Sequence, residues 1–140
     1  MLQDGKGPVI NETGMTIQTI PEELSVCKFA DYGGIDLSAP FVFTGSTDEE
    51  HSLVCPVRLV PGHTLDREDG WRAFRIEGPL DFSLIGIIAD LARILAEGKI
   101  GIFAISTFNT DYILTRSEDF ARALTLLAQA GYPVHSDLPV

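Results

Sequence analysis

The sequence predicts an α+β fold built on the ferredoxin-like βαββαβ order. Three observations predict it. Two segments carry helical hydrophobic spacing, 84–97 and the stretch from Ser117 to Gly131. Short apolar runs around them read as strands. The first half of the chain partly echoes the second.

In the C-terminal half, Trp71 to Ile76 reads as the first strand, with Phe74 and Ile76 on one face. Glu77-Gly78-Pro79-Leu80-Asp81 turns the chain into a helix from about Leu84 to Glu97, with Asp81 or Ser83 as N-cap and Gly98 as the C′ residue. Leu84, Ile87, Ile88, Leu91, Ile94 and Leu95 recur at the spacing of a core face, and Asp90, Arg93 and Glu97 form a polar stripe. Ile85, Ala89, Ala92 and Ala96 make a second face, mostly small, able to pack closely on another element or subunit. Ile100 to Ser106 reads as a strand, Thr107 to Thr110 as a turn, and Asp111 to Thr115 as the next strand. The second helix starts after Ser117, where Glu118 and Asp119 suit the positive end of the helix dipole. It turns Phe120, Ala123, Leu124 and Leu127 inward and ends at Gly131, before a last short strand over Tyr132 to His135. The order is β-α-β-β-α-β.

The N-terminal half repeats part of this pattern. Displaced by 60 residues, Phe41–Thr47 lies over Gly101–Thr107 and Ser52–Val54 over Tyr112–Leu114. Leu24 to Phe29 supplies the first strand of this copy. Its helices are eroded: 31–40 and 61–70 are rich in Gly, Pro and Asp and read as loops. The expected division is 14–66 for the degenerate half and 70–136 for the complete one. A module of about 60 residues is marginal alone, so two modules or a homodimer are expected to share the burial.

The net charge of −10 and the scattering of Lys and Arg argue against nucleic acid and against an anionic membrane surface. The run from Leu84 to Ala96 is broken by Asp90 and Arg93 and is too short to span a bilayer. The first eight residues carry no apolar signal core, so the expected location is cytoplasmic and the sequon Asn11-Glu12-Thr13 is taken as chance. Cys27 and Cys55 sit in apolar runs outside any CxxC pair and read as small buried hydrophobes. His51, His63 and His135 lack metal-ligand spacing, and no nucleophile elbow, P-loop or dinucleotide fingerprint is present. No catalytic residue, metal or cofactor is assigned.

Strand directions in a βαββαβ sheet bring three features to one edge: the loop Gly78 to Ser83, the free amides around Leu84, Ile85, Gly86 and Ile87, and the hairpin Ser106 to Asp111. Helix N-terminal amides suit an anion such as an α-carboxylate, and Gly86 lets a ligand approach the backbone. Ser106 and Thr107 offer hydroxyls, Phe108 a pocket wall, and Asp111 a partner for ammonium or guanidinium. Each also has a plainer explanation: Asp111 as a turn cap, Gly86 as a helix-packing position, Ser106 and Thr107 as strand-end residues, and Phe108 as core.

The segments Gly78-Pro79-Leu80-Asp81-Phe82, Gly86-Ile87-Ile88-Ala89 and Ile105-Ser106-Thr107-Phe108-Asn109-Thr110-Asp111-Tyr112-Ile113-Leu114 resemble the prokaryotic tandem ACT-domain proteins. These are similar to the eukaryotic cytosolic arginine sensors called CASTOR. The likeness covers Trp71 to Gly131, and Glu50 to Pro56 resembles the family's degenerate N-terminal half. The resemblance implies a ferredoxin-like ACT fold in two ACT-like halves and allosteric binding of an amino acid or similar small ligand. It places ligand contacts at Leu84 to Ile87, Thr107, Phe108, Thr110 and Asp111, with Asp111 matching the aspartate that meets guanidinium in the sensors. Leu84 stands where the sensors carry an acidic residue and Thr110 where they carry an aromatic, which argues against arginine itself. The expected function is an amino-acid-binding regulatory protein, with an unidentified enzyme as regulated partner. A ligand-free partner-binding module and a small enzyme are the alternatives.

Overall fold

A computed structural model describes residues 14–78 and 83–136, without the side chains of 83–85. The elements are β1 (Thr16–Thr19), β2 (Leu24–Phe29), β3 (Phe43–Ser46), β4 (His51–Pro56), a 3₁₀ turn (Val57–Leu59), β5 (Asp66–Glu77), α1 (Ser83–Glu97), β6 (Phe103–Ser106), β7 (Asp111–Arg116), α2 (Ser117–Gln129) and β8 (Val134–His135). They fall into two compact units, one made of Glu22–Arg72 and the other of the segments before and after it. The N-cap candidate Asp81, most of the loop after Gly78 and the sequon lie outside the described residues.

The unit containing the C-terminal half has the expected order β5-α1-β6-β7-α2-β8. β7 pairs with both β5 and β6, and Phe103 faces Leu114 across the β6–β7 hairpin. The other neighbour of β5 is β1, antiparallel, with Ile17 opposite Ile76. β8 lies beyond it, parallel to β1, with Ile17 opposite Val134. A strand at 16–19 was not expected, because Thr-Ile-Gln-Thr carries one large apolar residue in four. Its pairing with β5 places Ile17 and the following Ile20 at 0 % and 1 % exposure. Residues 14–21 thus stand in the unit of 73–136, and 66–72 in the other.

One core fills this unit. Ile17, Phe74, Ile76 and Ile113 come from the sheet, Ile87, Leu91 and Leu95 from α1, and Phe120, Ala123 and Leu127 from α2. Tyr132 closes it, its hydroxyl donating to Asp90 at 2.5 Å while Arg93 holds the same carboxyl group at 2.7 Å. α1 ends differently from the expected glycine cap: the left-handed residue is Lys99, at φ 61°. Gly98 lies close against α2, where an added Cβ would force the Leu126 side chain to shift.

The unit of residues 22–72 is a four-stranded sheet in the order β5-β2-β4-β3. Leu24 faces Trp71, Cys27 faces Leu53, and Phe43 faces Val54, all in antiparallel pairs. Among the described residues, 22–72 hold no α-helix, as the loop-like composition predicts. Ile35, Val42, Leu59 and Val60 from the connections pack instead on Cys27, Phe29, Leu53 and Cys55. Residues 66–70 were expected in a loop and are strand. Their pairing with β2 (Lys28 with Asp66, Cys27 with Arg67) overrides their poor strand propensity.

Both thiols lie in this small core and are unpaired. Burial, then the neighbouring Cys27 thiol, pushes Cys55 from 9.0 to about 11; burial also raises Cys27. At pH 8 the native protein is therefore expected to react with iodoacetamide at least about tenfold more slowly than the urea-unfolded chain, read by mass spectrometry. The linkage has a definite sign. Between pH 9 and 11 the unfolded chain releases thiol protons that the folded chain retains, so stability falls as pH rises through that window. Urea midpoints at pH 8 and 10.5 measure the loss, and Cys55→Val should flatten it.

Candidate functional site

Strand alternation sets the site. Phe74 and Ile76 enter the core, so Arg75 and Glu77 stand on the opposite face of β5. Arg75 Nε donates to Glu77 Oε2 at 2.9 Å, and Nη1 donates to the Tyr112 hydroxyl at 3.4 Å. The Tyr112 hydroxyl, then the Glu77 carboxylate, stabilise the charged guanidinium, against the opposing cost of desolvation. These groups line an open cleft of about 450 Å³ formed by Arg75, Ile76, Glu77, Gly78, Asn109, Thr110 and Tyr112. Its wall combines a cation, a carboxylate, a phenol and an amide, which together suit a small zwitterion or polar anion.

The hairpin is held by its own hydroxyls. Thr107 N and Oγ1 donate to Thr110 O at 2.8 and 2.9 Å. Thr110 Oγ1 donates to Ile76 O at 2.7 Å, tying the hairpin to the end of β5. Gly78 closes the cleft at φ 142°, where a Cβ would lie 2.8 Å from Met15 Sδ and 2.9 Å from Gly14 O. Any other residue there is both strained and obstructed.

The expected site residues divide. Thr110 lines the cleft. Ser106 donates a hydrogen bond to the half-buried Asp111 carboxylate. Phe108, at 103 % exposure, is a bare tip. Ile87 belongs to the core, leaving only its backbone for a ligand, and Gly86 is exposed with open space around an added Cβ. Leu84 and Ile85 lie in the first turn of α1, their side chains outside the described residues. Arg75, Glu77, Asn109 and Tyr112 were not anticipated. The signal for the first two was legible: opposite charges two residues apart, on the face of the strand away from Phe74 and Ile76. Among the described residues no group of three or more His, Cys, Asp and Glu is placed to hold a metal ion. Among the same residues no helix is long and apolar enough to cross a membrane.

Residues 66–129, which contain the cleft and both helices, match the family model described as ACT domain. A search of curated proteins gives no match. Among solved structures the chain is similar to an Agrobacterium tumefaciens protein at 28 % identity and TM-score 0.79, over 90 % of this chain and 96 % of that one. It is also similar to a Vibrio cholerae protein of unknown function at 20 % identity and TM-score 0.66, over 85 % and 91 %. Against the aspartate kinase of Clostridium acetobutylicum, described as an allosteric enzyme, identity is 13 % and the TM-score 0.60, over 93 % of this chain and 37 % of the kinase. The fold is the α+β, ferredoxin-like ACT fold.

Proposed function

We propose that this chain is a non-catalytic regulatory protein that binds an amino acid, or a small molecule with the same head group, in the cytoplasm. The observation that carries the reading is the Arg75–Glu77–Tyr112 cleft, within the segment that matches the ACT domain model. A guanidinium and a carboxylate 2.9 Å apart complement an α-carboxylate and an α-ammonium group on one carbon. Thr110 lines this cleft; Ser106, Thr107, Phe108 and Asp111 on the hairpin, with the first-turn amides of Leu84, Ile85, Gly86 and Ile87, are proposed as further ligand contacts beyond its lining. The structural likeness to an allosteric kinase supports an enzyme as the regulated partner.

The chain is further proposed to act as a homodimer. Among the described residues β6 pairs with β7 alone, beside the partly exposed Ile102 and Phe103 at 37 % and 36 % exposure, an edge position that a second copy could extend. Light scattering behind a sizing column checks this, and a monomer at all concentrations overturns it.

Thermal-shift screening against the twenty amino acids tests the ligand reading. At a hundredfold excess over Kd a ligand adds about 2.7 kcal/mol, which for a domain of this size raises Tm by roughly 5–10 °C. One amino acid or one chemical group of them is expected to do so. No shift from any amino acid at millimolar concentration overturns the proposal.

A further inference from the structure

The turn beside the cleft carries one residue that the turn itself does not need. Phe108 and Asn109 lie between Thr107 and Thr110. Thr107 N and Oγ1 donate to Thr110 O, and Thr110 N donates back to Thr107 Oγ1 at 3.4 Å, so the threonines close the turn. Asparagine commonly enters a turn for one of two reasons: it tolerates a left-handed backbone, or its side chain bonds the turn's own backbone. Neither holds here. Among the described residues the non-glycine residues with positive φ are Phe41 and Lys99. The Asn109 carboxamide is exposed, lines the cleft and makes no hydrogen bond to any described residue. The turn at 47–50 is closed in the same way, with Thr47 N bonded to Glu50 O at 2.9 Å and Glu50 N to Thr47 Oγ1 at 3.1 Å. It carries Glu49 at the matching place, so this turn geometry does not demand asparagine.

We propose that Asn109 sets the specificity of the cleft, and that the ligand is an amino acid whose side chain ends in a carboxamide. This rests on the reading of the Arg75–Glu77–Tyr112 cleft as an amino-acid site. Arg75 and Glu77, paired at 2.9 Å, are the charged residues of the lining, and the α-carboxylate and α-ammonium groups engage both. What remains for a ligand side chain is uncharged. Asn109 offers N–H donors and a carbonyl acceptor, and Thr110 Oγ1, whose proton goes to Ile76 O, keeps its lone pairs. A ligand carboxamide matches this set: its carbonyl accepts from Asn109 while its own N–H donates to the Asn109 carbonyl.

Other side chains fit less well. A carboxylate has no proton to return to the Asn109 carbonyl and stands near Glu77. A cation finds Glu77 already engaged by the head group. Asp111 follows the strand alternation to the face of β7 opposite Tyr112, where Ser106 donates to it, so its carboxylate does not charge the cleft. An apolar side chain would cover the Asn109 carboxamide without replacing its bonds to water. Ile76, the aliphatic residue of the lining, turns its own side chain into the core and offers no apolar contact in exchange.

Calorimetric titration of the full chain with each of the twenty amino acids tests this. Glutamine or asparagine is expected to bind most tightly. The margin over the apolar isosteres methionine and leucine, and over glutamate and aspartate, is expected to be about tenfold, the worth of two neutral hydrogen bonds. Asn109→Ala should weaken the preferred amide about tenfold and leave its apolar isostere within about twofold, so that the preference vanishes. A residue that only shaped the turn would move both ligands together. Asn109→Asp keeps the size but removes the donors, and should also lose the preference. Any other amino acid bound most tightly keeps the amino-acid reading and overturns this inference; lysine or arginine in that place would put the side chain at Asp111. An amide preference that survives both substitutions overturns it as well. So does a fall in the urea midpoint of either variant beyond about 0.5 kcal/mol in stability, which would give Asn109 a task in the turn. Binding of no amino acid overturns both readings.

Discussion

Arg75→Met is expected to abolish the thermal shift produced by the amino acid that stabilises the parent chain, with little change in the stability of the free protein. The asymmetry follows from exposure. The Arg75 and Glu77 side chains are 32 % and 44 % exposed, and ion pairs of that kind contribute at most about 1 kcal/mol to folding. A bound carboxylate changes the environment of the guanidinium: it excludes water and adds a further charge-assisted partner beside Glu77 and Tyr112. Truncating one member of a desolvated charge pair costs about 2–5 kcal/mol, which is roughly 30-fold or more in Kd. Arg75→Lys separates charge from geometry. It retains the cation but not the planar fork, so it should recover only part of the affinity. Calorimetric titration reads all three proteins. Parent-like affinity in Arg75→Met would remove Arg75 from the site and return the ligand to the helix amides and Asp111.

Thr110→Val probes the scaffold of the same cleft. The methyl group replaces the hydroxyl that bonds Ile76 O at 2.7 Å, so the hairpin loses this side-chain tie to the end of β5 while the β5–β7 pairing and the charged groups remain. The expected loss of affinity is smaller than for Arg75→Met, because the groups that meet the ligand are intact and only their spacing is relaxed.

The parts of this fold that were legible in sequence are those whose signal is local. Helical spacing of Ile87, Leu91 and Leu95 found α1, and Phe120, Ala123 and Leu127 found α2, because one buried face repeats every three or four residues. The hairpins were legible through their resemblance to each other. What escaped depends on partners distant in the chain. Thr16–Thr19 is a strand because β5 and β8 flank it, more than fifty residues away in sequence. Asp66–Gly70 is a strand because β2 offers open backbone groups. The site divides in the same way. Asp111 was named from the hairpin and Thr110 from the family resemblance, whereas Arg75 gained meaning only when Glu77 and Tyr112 came within reach of it.

Phe74→Ala is expected to leave little folded protein at 37 °C. Phe74 is fully buried, and its ring sits 6.4 Å from that of Phe120, inclined at 34°, where β5 meets α2. Truncating such a ring costs about 3–5 kcal/mol, the lost transfer energy plus the cavity left behind. A whole domain of this size is stable by only about 5–15 kcal/mol. The same strand carries Arg75 and Glu77 outward, so the substitution frees the charged side of the cleft from its registration against the hairpin. Ligand should then rescue folding only at concentrations far above its Kd for the parent, because binding must first offset the folding deficit. Phe108→Ala supplies the contrast. That ring is fully exposed, and its removal should shift stability by no more than about 0.5 kcal/mol. Urea denaturation of both variants separates the two roles. A stable Phe74→Ala protein would mean that the sheet and α2 hold together without this ring, through the rest of the core, such as Ile76, Leu91, Leu95 and Leu127.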